Sequence, residues 1–311
     1  MPRSIAIPKS NMTRVRCPAC DGIHIRIIGE LIHIPGLFEL THPGWLHRCS
    51  TCHLFFRRPF LASDDLRAAY KRIPETHWIE NEERQDQVLA FKKLMKLKKK
   101  GAVLDVGCYR GDFLQRFPAG FSLYGIEPSR AAAQMAQARG IRILGDTLED
   151  TDFKNYRFDI VSLVDVLEHI PSPFLALKIL KPLLNPDGIL LVTTGNTGYL
   201  PWRLMRLGYW YYMAEHVSFF NPQWFRWVSQ KLGLRIIEME RFSHQRGSFG
   251  TCFRQVSQGM AFLVFTRLSR YHTLRNFISR VYPFNHVAQW KFTPPAPACR
   301  DHLLVIFQAA S

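Results

Sequence analysis

The sequence predicts an α/β fold, a largely parallel sheet with helices on both faces and a small metal-binding segment ahead of it. Three observations predict this. A short apolar strand, Ala102–Val106, runs at once into a glycine turn, Gly107-Cys-Tyr-Arg-Gly111, and then into a helical pattern, Asp112–Phe117. Further strand-like and helix-like stretches follow in alternation, as parallel β-α-β construction requires. Upstream stand two Cys-x-x-Cys pairs, Cys17/Cys20 and Cys49/Cys52, a donor set suited to one tetrahedral ion.

In chain order, the first stretch, MPRSIAIPKSNMTRVRC, has no apolar core and reads as a short lead-in rather than a secretory signal. The two cysteine pairs then let four thiolates converge on one Zn²⁺, each pair forming a tight turn. Burial alone would not hold so small a segment, so the metal supplies folding free energy, and four protein ligands make the site structural. A redox dithiol or unrelated buried cysteines are the competing readings; two pairs together favour zinc. His24, His47 and His53 are read as surface histidines. Cys108, Cys252 and Cys299 are scattered, so a disulfide framework is not expected and a reduced, cytoplasmic setting is.

Charged helix formers occupy about 80–100. A second strand, Ser122–Ile126, ends on the acidic Glu127, placed to bind a ribose diol. A helix over Ser129–Arg139 follows, with Ser129 as its N-cap. A third strand, Ile141–Leu144, leads into Gly145-Asp-Thr147, and a fourth, Phe158–Val164, into Asp165-Val-Leu-Glu-His169. Glycines after the first strand let the backbone approach a ligand at the carboxyl end of the sheet.

On these residues the chain resembles the class I S-adenosylmethionine (SAM)-dependent methyltransferases. The matching segments are VLDVGCYRG (103–111), GIEPS (125–129), GDTLED (145–150), FDIVSLVDVLEHIPSP (158–173) and LLNPDGILLVTT (183–194). A dinucleotide dehydrogenase would carry Gly-x-Gly-x-x-Gly instead. The resemblance implies a Rossmann-like sheet of seven strands. It also implies that Asp105 and the loop Gly107, Cys108 and Gly111 flank the methionine part of SAM, and that Glu127 binds the ribose. Asp146 and Thr147 would meet the adenine, and Val164 and Asp165 would line the floor. Tyr109-Arg110 departs from the family's small or polar residues, and its side chains are expected to point outward. Leu234–Glu240 and His302–Phe307 match the last two strands. Roughly sixty residues between them are too many for a hairpin loop, so the insertion at about 241–301 carries its own helices.

The knuckle, Leu66-Arg-Ala-Ala-Tyr70 and Glu215-His-Val-Ser-Phe-Phe220 narrow the resemblance to sugar and polysaccharide methyltransferases, including zinc-containing ones. Displacement at a sulfonium needs alignment, plus a base where the acceptor holds a proton. Histidine serves near neutral pH. His216 is the first candidate base with Glu215 as its orienting partner, and His169 the second. The aromatic stretch Tyr199–Met213 is a lid, a sugar-stacking wall, a membrane-touching surface or a satellite core. In 260–282, Phe262, Val264, Phe265, Leu268, Tyr271, Leu274, Phe277, Ile278 and Val281 recur at mostly helical spacing between Arg267, Arg270, Arg275 and Arg280. Such a helix lies in a headgroup layer or packs on the domain.

With 311 residues, 47% of them hydrophobic, the chain suffices for one large domain and an appendage. The expected division is a knuckle at 1–60, a helical linker or cap at 61–100 and a methyltransferase domain at 101–311. A net charge of +16 suits polyanionic partners, and no apolar run of about 18 residues marks a membrane span. The expected activity is methyl transfer from SAM to an oxygen or carbon of a sugar-like, nucleotide- or lipid-linked acceptor. The second reading is a lipid-quinone or small aromatic acceptor, and peripheral membrane contact through 199–213 and 260–282 accompanies a lipid-linked one. A basic nucleic-acid-binding zinc protein with a vestigial SAM site is the third. Against it, Asp165-Val-Leu-Glu stands where enzymes of base amino groups carry Asn-Pro-Pro-Tyr.

Overall fold

Two tight cysteine turns and three short strands, β1 (Ile25–Glu30), β2 (Trp45–Cys49) and β3 (Phe55–Arg58), open the chain. The computed structural model describes residues 15–31, 44–59, 84–245, 247–268, 284–290, 293–296 and 298–309. The Leu66–Tyr70 motif and the insertion residues Tyr271–Val281 lie outside them. Helix α1 (Gln85–Leu97) leads into β4 (Gly101–Val106), followed by β5 (Phe121–Ile126), α2 (Arg130–Ala138) and β6 (Arg142–Gly145). Then come β7 (Phe158–Val164), α3 (Pro173–Leu180), β8 (Leu184–Gly195), α4 (Leu200–Met205), β9 (Ser218–Phe219) and α5 (Pro222–Leu232). The chain closes with β10 (Leu234–Phe242), α6 (Phe249–Leu268), the short α7 (Phe284–Val287) and β11 (His302–Ala309).

Seven of these strands form one sheet in the order β10-β11-β8-β7-β4-β5-β6. The five from β6 to β8 run parallel, and β11 pairs antiparallel with both β8 and β10. Successive strand residues point to opposite faces, which explains why helices cover both. Leu104, Val161, Leu163, Leu190, Val192 and Val305 pack on one face with Leu177 and Leu180 of α3 and Trp224 and Val228 of α5. Val103, Ile160, Leu191, Leu304 and Ile306 pack on the other with Ala90 and Leu94 of α1. Local signals fix the helix ends. Ser129 Oγ accepts from Ala132 N at 3.4 Å, and Asn221 Oδ1 accepts from Trp224 N at 3.0 Å. Pro222 opens α5, and Gly233 closes it in a left-handed conformation with φ of 59°.

Three expectations change. The helical pattern at Asp112–Phe117 is only a 3₁₀ turn, Leu114–Arg116, because Phe117 turns extended ahead of Pro118. The N-terminal strands share a four-stranded sheet, β1-β2-β3-β9, whose last member comes from the methyltransferase region. Cys252 and Cys299 form a disulfide, with Cα atoms 4.9 Å apart. The expectation that these cysteines stay unpaired is thereby corrected. α6 lies along the segment before β11, where Ala298 N donates to Gln255 Oε1, and this brings the two thiols together. The insertion carries its own helices, α6 and α7, as its length requires.

Tyr199–Met213 contributes a satellite core. Trp202, Tyr209, Tyr211 and Tyr212 are buried with Leu31, Leu46 and Phe219. Leu200 and Leu204 on α4 and Phe249 and Phe253 on α6 are exposed. Among the described residues no helix is long and apolar enough to cross a membrane.

Candidate active site

The carboxyl ends of the parallel strands open onto a cavity of about 520 Å³, at the switch point where β5 and β7 flank β4. Ligands bind at such crevices in open parallel sheets. The volume is that of a small-molecule site. Asp105, Gly107, Cys108, Glu127, Asp146, Thr147, Val164 and Asp165 all line it, as do His169, Glu215 and His216. Gly111 does not. At φ of 81° it turns the chain under the loop, where a Cβ would stand 2.0 Å from Ile141 Cδ1. Close packing of the turn requires a glycine there. Gly107 shares the reason, with φ of 71° and Val166 Cγ2 at 2.7 Å from a would-be Cβ.

At one end of the cavity, Glu127 accepts hydrogen bonds from Tyr109 N at 2.8 Å and Ser129 N at 2.7 Å, one to each carboxylate oxygen. Burial nevertheless pushes its pKa up to about 7. Asp105 accepts from Ser162 Oγ at 2.7 Å and is raised to about 7 by the same desolvation. Tyr109 corrects an expectation. It lines the cavity instead of pointing outward, because a left-handed φ of 49° turns its amide onto Glu127. The Arg110 guanidinium packs over its ring and pairs with Asp112. Thr147 Oγ1 donates to Asp150 Oδ2 at 2.9 Å, which fixes the loop after β6.

At the other end His216 is buried, and its Nδ1 lies 2.8 Å from the Tyr211 carbonyl. A carbonyl only accepts, so Nδ1 carries the proton and Nε2 keeps its lone pair. The orienting partner is therefore that carbonyl and not Glu215. Glu215 is buried near Arg57, whose charge it feels. Burial holds His216 well below the ordinary histidine pKa and lowers His169 to about 4. Both imidazoles are neutral at physiological pH. Their rings meet edge to face at 4.7 Å, and His169 bonds the Glu215 carbonyl.

Several of the supports around this end carried no sequence signal. Arg57 of β3 is fully buried, and its guanidinium donates to the carbonyls of Tyr212 (2.7 Å), Met213 (2.8 Å) and His216 (3.2 Å). The knuckle sheet thereby grips the loop that carries Glu215 and His216. Asp165 sits at φ of 60° among Arg84, His244 and the Tyr211 hydroxyl. Burial opposes its ionisation, but His244 and Arg84 outweigh this and hold it well below the carboxylate range. A lone basic or histidine residue offers no spacing to read, so none of these pairings could be found without the fold.

The four knuckle thiols converge. Cys17 and Cys52 Sγ are 3.5 Å apart, as are Cys20 and Cys49 Sγ, and all four lie within 4.8 Å of one another. A tetrahedral zinc with bonds of about 2.3 Å sets sulfurs about 3.8 Å apart, so the donor set fits that ion. None of His24, His47 or His53 belongs to the cluster.

Comparison with known proteins agrees with this geometry. The methyltransferase-domain family matches residues 80–239, just over half of the chain. Similar curated proteins include a ubiquinone biosynthesis O-methyltransferase of Actinobacillus pleuropneumoniae serotype 5b (strain L20). It is 32% identical over 133 residues, 39% of this chain and 55% of that protein. Another of that name, from Rhodopseudomonas palustris (strain BisB5), is 32% identical over 155 residues, 44% and 59% of the two chains. The chain thus spans only about half the length of the curated relatives it matches. Among solved structures, the YcgJ protein of Bacillus subtilis is 14% identical, with 73% of this chain and 99% of that one covered at a TM-score of 0.46. The N-methyltransferase NodS of Bradyrhizobium japonicum, in complex with S-adenosylhomocysteine, is 12% identical, with 80% and 98% covered at a TM-score of 0.45. By the match over 80–239, the chain belongs to the methyltransferase-domain family, within the class I SAM-dependent methyltransferases.

Proposed function

We propose that the protein transfers a methyl group from SAM to a hydroxyl oxygen of a small aromatic acceptor of the lipid-quinone class. One observation carries the reading. A single cavity has two buried carboxyls, Asp105 and Glu127, at one end and a neutral His216 with its Nε2 lone pair at the other. The donor set fits SAM. Each Glu127 oxygen takes one backbone N–H and retains a lone pair for a ribose hydroxyl, and Asp105 would stand beside the methionine moiety. When bound, SAM supplies an electrophilic methyl on a sulfonium. The protein's own contribution is alignment of the acceptor and removal of its proton. His216 Nε2 accepts that proton, with the Tyr211 carbonyl holding the ring. Zn²⁺ is assigned to the four thiolates as a structural ion.

The curated relatives are named for O-methylation in ubiquinone biosynthesis, which favours an oxygen and an aromatic acceptor over a sugar. The exposed Leu200, Leu204, Phe249 and Phe253 on the touching helices α4 and α6 suit peripheral contact with the membrane that holds such an acceptor. A sugar-like acceptor is the second reading, favoured by the four-cysteine cluster that prompted the resemblance to sugar enzymes.

Calorimetric titration with SAM, followed by labelled methyl transfer to a catechol-type quinone precursor and to nucleotide sugars, tests both. The expected result is SAM binding and label on the catechol oxygen, slowed by about 10²–10⁴-fold in His216→Gln. Label on the sugar transfers the assignment to the second reading, and folded protein that binds no SAM overturns both.

A further inference from the structure

Outside the four thiols, the C-terminal part of the chain brings a second set of metal-type donors together under the cavity floor. Asp165 follows β7, His244 follows β10 and His302 begins β11, and one donor atom from each lies within 4.8 Å of the others. The His244 and His302 rings meet at right angles, centroids 4.1 Å apart. His244 Nε2 stands 3.5 Å from Asp165 Oδ1, farther than a good hydrogen bond. The His244–Asp165 contact is a long ion pair, and the same Asp165 oxygen accepts from the Tyr211 hydroxyl at 3.0 Å.

His302 supplies the independent observation. It is fully buried, and its Nδ1 lies 2.8 Å from Asp301 Oδ1. Asp301 also accepts from the Tyr209 hydroxyl and, at 3.2 Å, from Trp210 Nε1. This carboxylate is an anchored acceptor, so the proton of a neutral His302 sits on Nδ1 and the lone pair on Nε2. That Nε2 is buried and has no hydrogen-bond partner. An imidazole held through one nitrogen by a carboxylate, with the other left bare, is how metal-ligating histidines are oriented.

Asp165 already shares Arg84 with Asp86 and faces His244, so an ion bound here replaces the positive charge that a protonated His244 supplies and releases that proton.

We propose that Asp165, His244 and His302 bind a first-row divalent cation that ties the C-terminal insertion to the cavity floor. Two imidazoles and a carboxylate suit Mn²⁺, Fe²⁺, Co²⁺ or Zn²⁺. Bonds of about 2.0–2.2 Å place such ligands roughly 3–3.5 Å apart, so the three side chains close slightly on the ion. Bound there, the ion fixes the Asp165 carboxylate, a wall of the cavity, to the ends of β10 and β11. The inference is independent of the acceptor and of methyl transfer itself.

The test uses the full chain with its thiolate site already filled with zinc, titrated with Mn²⁺ and followed by loss of the free-ion electron paramagnetic resonance signal. Mn²⁺ avoids thiolates and accepts nitrogen and oxygen donors. One Mn²⁺ per chain is expected, and Asp301→Asn weakens it by about 10- to 100-fold. His302→Gln and His244→Gln weaken it at least as much, while His216→Gln leaves it within about threefold. Absence of Mn²⁺ binding overturns the proposal, as does binding that survives His302→Gln. Loss in His216→Gln alone also overturns it, because the ion then sits on Glu168, His169 and His216. Nitrogen hyperfine couplings from two imidazoles in the wild-type complex are expected too. Their absence overturns the assignment however the variants fold.

Discussion

The two ends of the cavity are built in opposite ways. At the cofactor end each side chain is held from its own or an adjoining strand–turn unit. Glu127 is held by Ser129, two residues on, and by Tyr109 of the adjacent turn, while Asp105 is held by Ser162 on the neighbouring strand. At the acceptor end the supports come from far along the chain. Arg57 reaches the His216 carbonyl across 159 residues, and Tyr209 reaches Asp301 across 92. A local unit keeps its shape when its surroundings fail, whereas a long-range one fails as a set. Cofactor binding and methyl transfer should therefore come apart under mutation.

Loss of the metal proposed for the four knuckle thiolates is expected to have the largest effect. Structural zinc contributes about 10–16 kcal/mol to the folding of small metal-held segments, and this segment supplies β3, which pairs with β9 and carries Arg57. In Cys49→Ser, or after chelation, β1–β3 are expected to unfold while β4–β6 stay paired. Methyl transfer should vanish, while SAM affinity changes by less than about tenfold, or ~1.4 kcal/mol. Parallel calorimetry and transfer assays check this, and an equal collapse of SAM binding would break the comparison.

Arg57→Met is the smaller and sharper cut. It leaves Glu215 buried beside a lost cation and three carbonyls without their donor. Removing one partner of a buried charge pair costs about 3–5 kcal/mol, here concentrated in the loop of His216. A fall in kcat with an unchanged SAM dissociation constant is expected, together with a lower melting temperature. Arg57→Lys should recover part of the stability and little of the rate, because an ammonium cannot span three carbonyls in one plane.

The same contrast decides what the sequence could disclose. Ala102–Gly111, Gly125–Ser129 and Phe158–Asp165 each combine strand period, turn and acidic terminus within about ten residues, a length over which pattern is informative. The strands, their succession along the chain and most of the side chains that line the cavity beside them were legible for that reason. The supports of the acceptor end were not. Arg57 reads as one more surface arginine of a basic chain, His244 lies past the end of its strand, and His302, though it opens a recognisable strand, gives no sign of its partners. The misread orientation of Glu215 has the same origin, since adjacency in sequence says nothing about which neighbour meets a ring nitrogen. Tyr109 was misplaced because a bulky residue in a left-handed turn is uncommon, and only the contact with Glu127 accounts for it.

The smallest expected effect is a pH dependence confined to the cofactor end. Burial raises Glu127 from the ordinary carboxylate range to about 7. Its folded-state pKa is above its unfolded one, so its contribution to stability is fully present below the unfolded value and is lost as pH rises through about 7. Cofactor binding runs the other way, since only the ionised carboxylate offers each ribose hydroxyl a full acceptor. SAM affinity is therefore expected to fall by up to about tenfold per pH unit below 7, at about 1.4 kcal/mol per unit, and to level off above. Glu127→Gln should flatten this slope and raise the melting temperature of the ligand-free protein more at pH 8 than at pH 5. Calorimetry from pH 5.5 to 8.5, with differential scanning calorimetry over the same range, checks both signs. A slope that persists in Glu127→Gln and disappears in Asp105→Asn would assign the titration to Asp105, whose burial raises it to the same value. That result would move the proton-sensitive contact from the ribose to the methionine side while keeping it within the locally built half of the cavity.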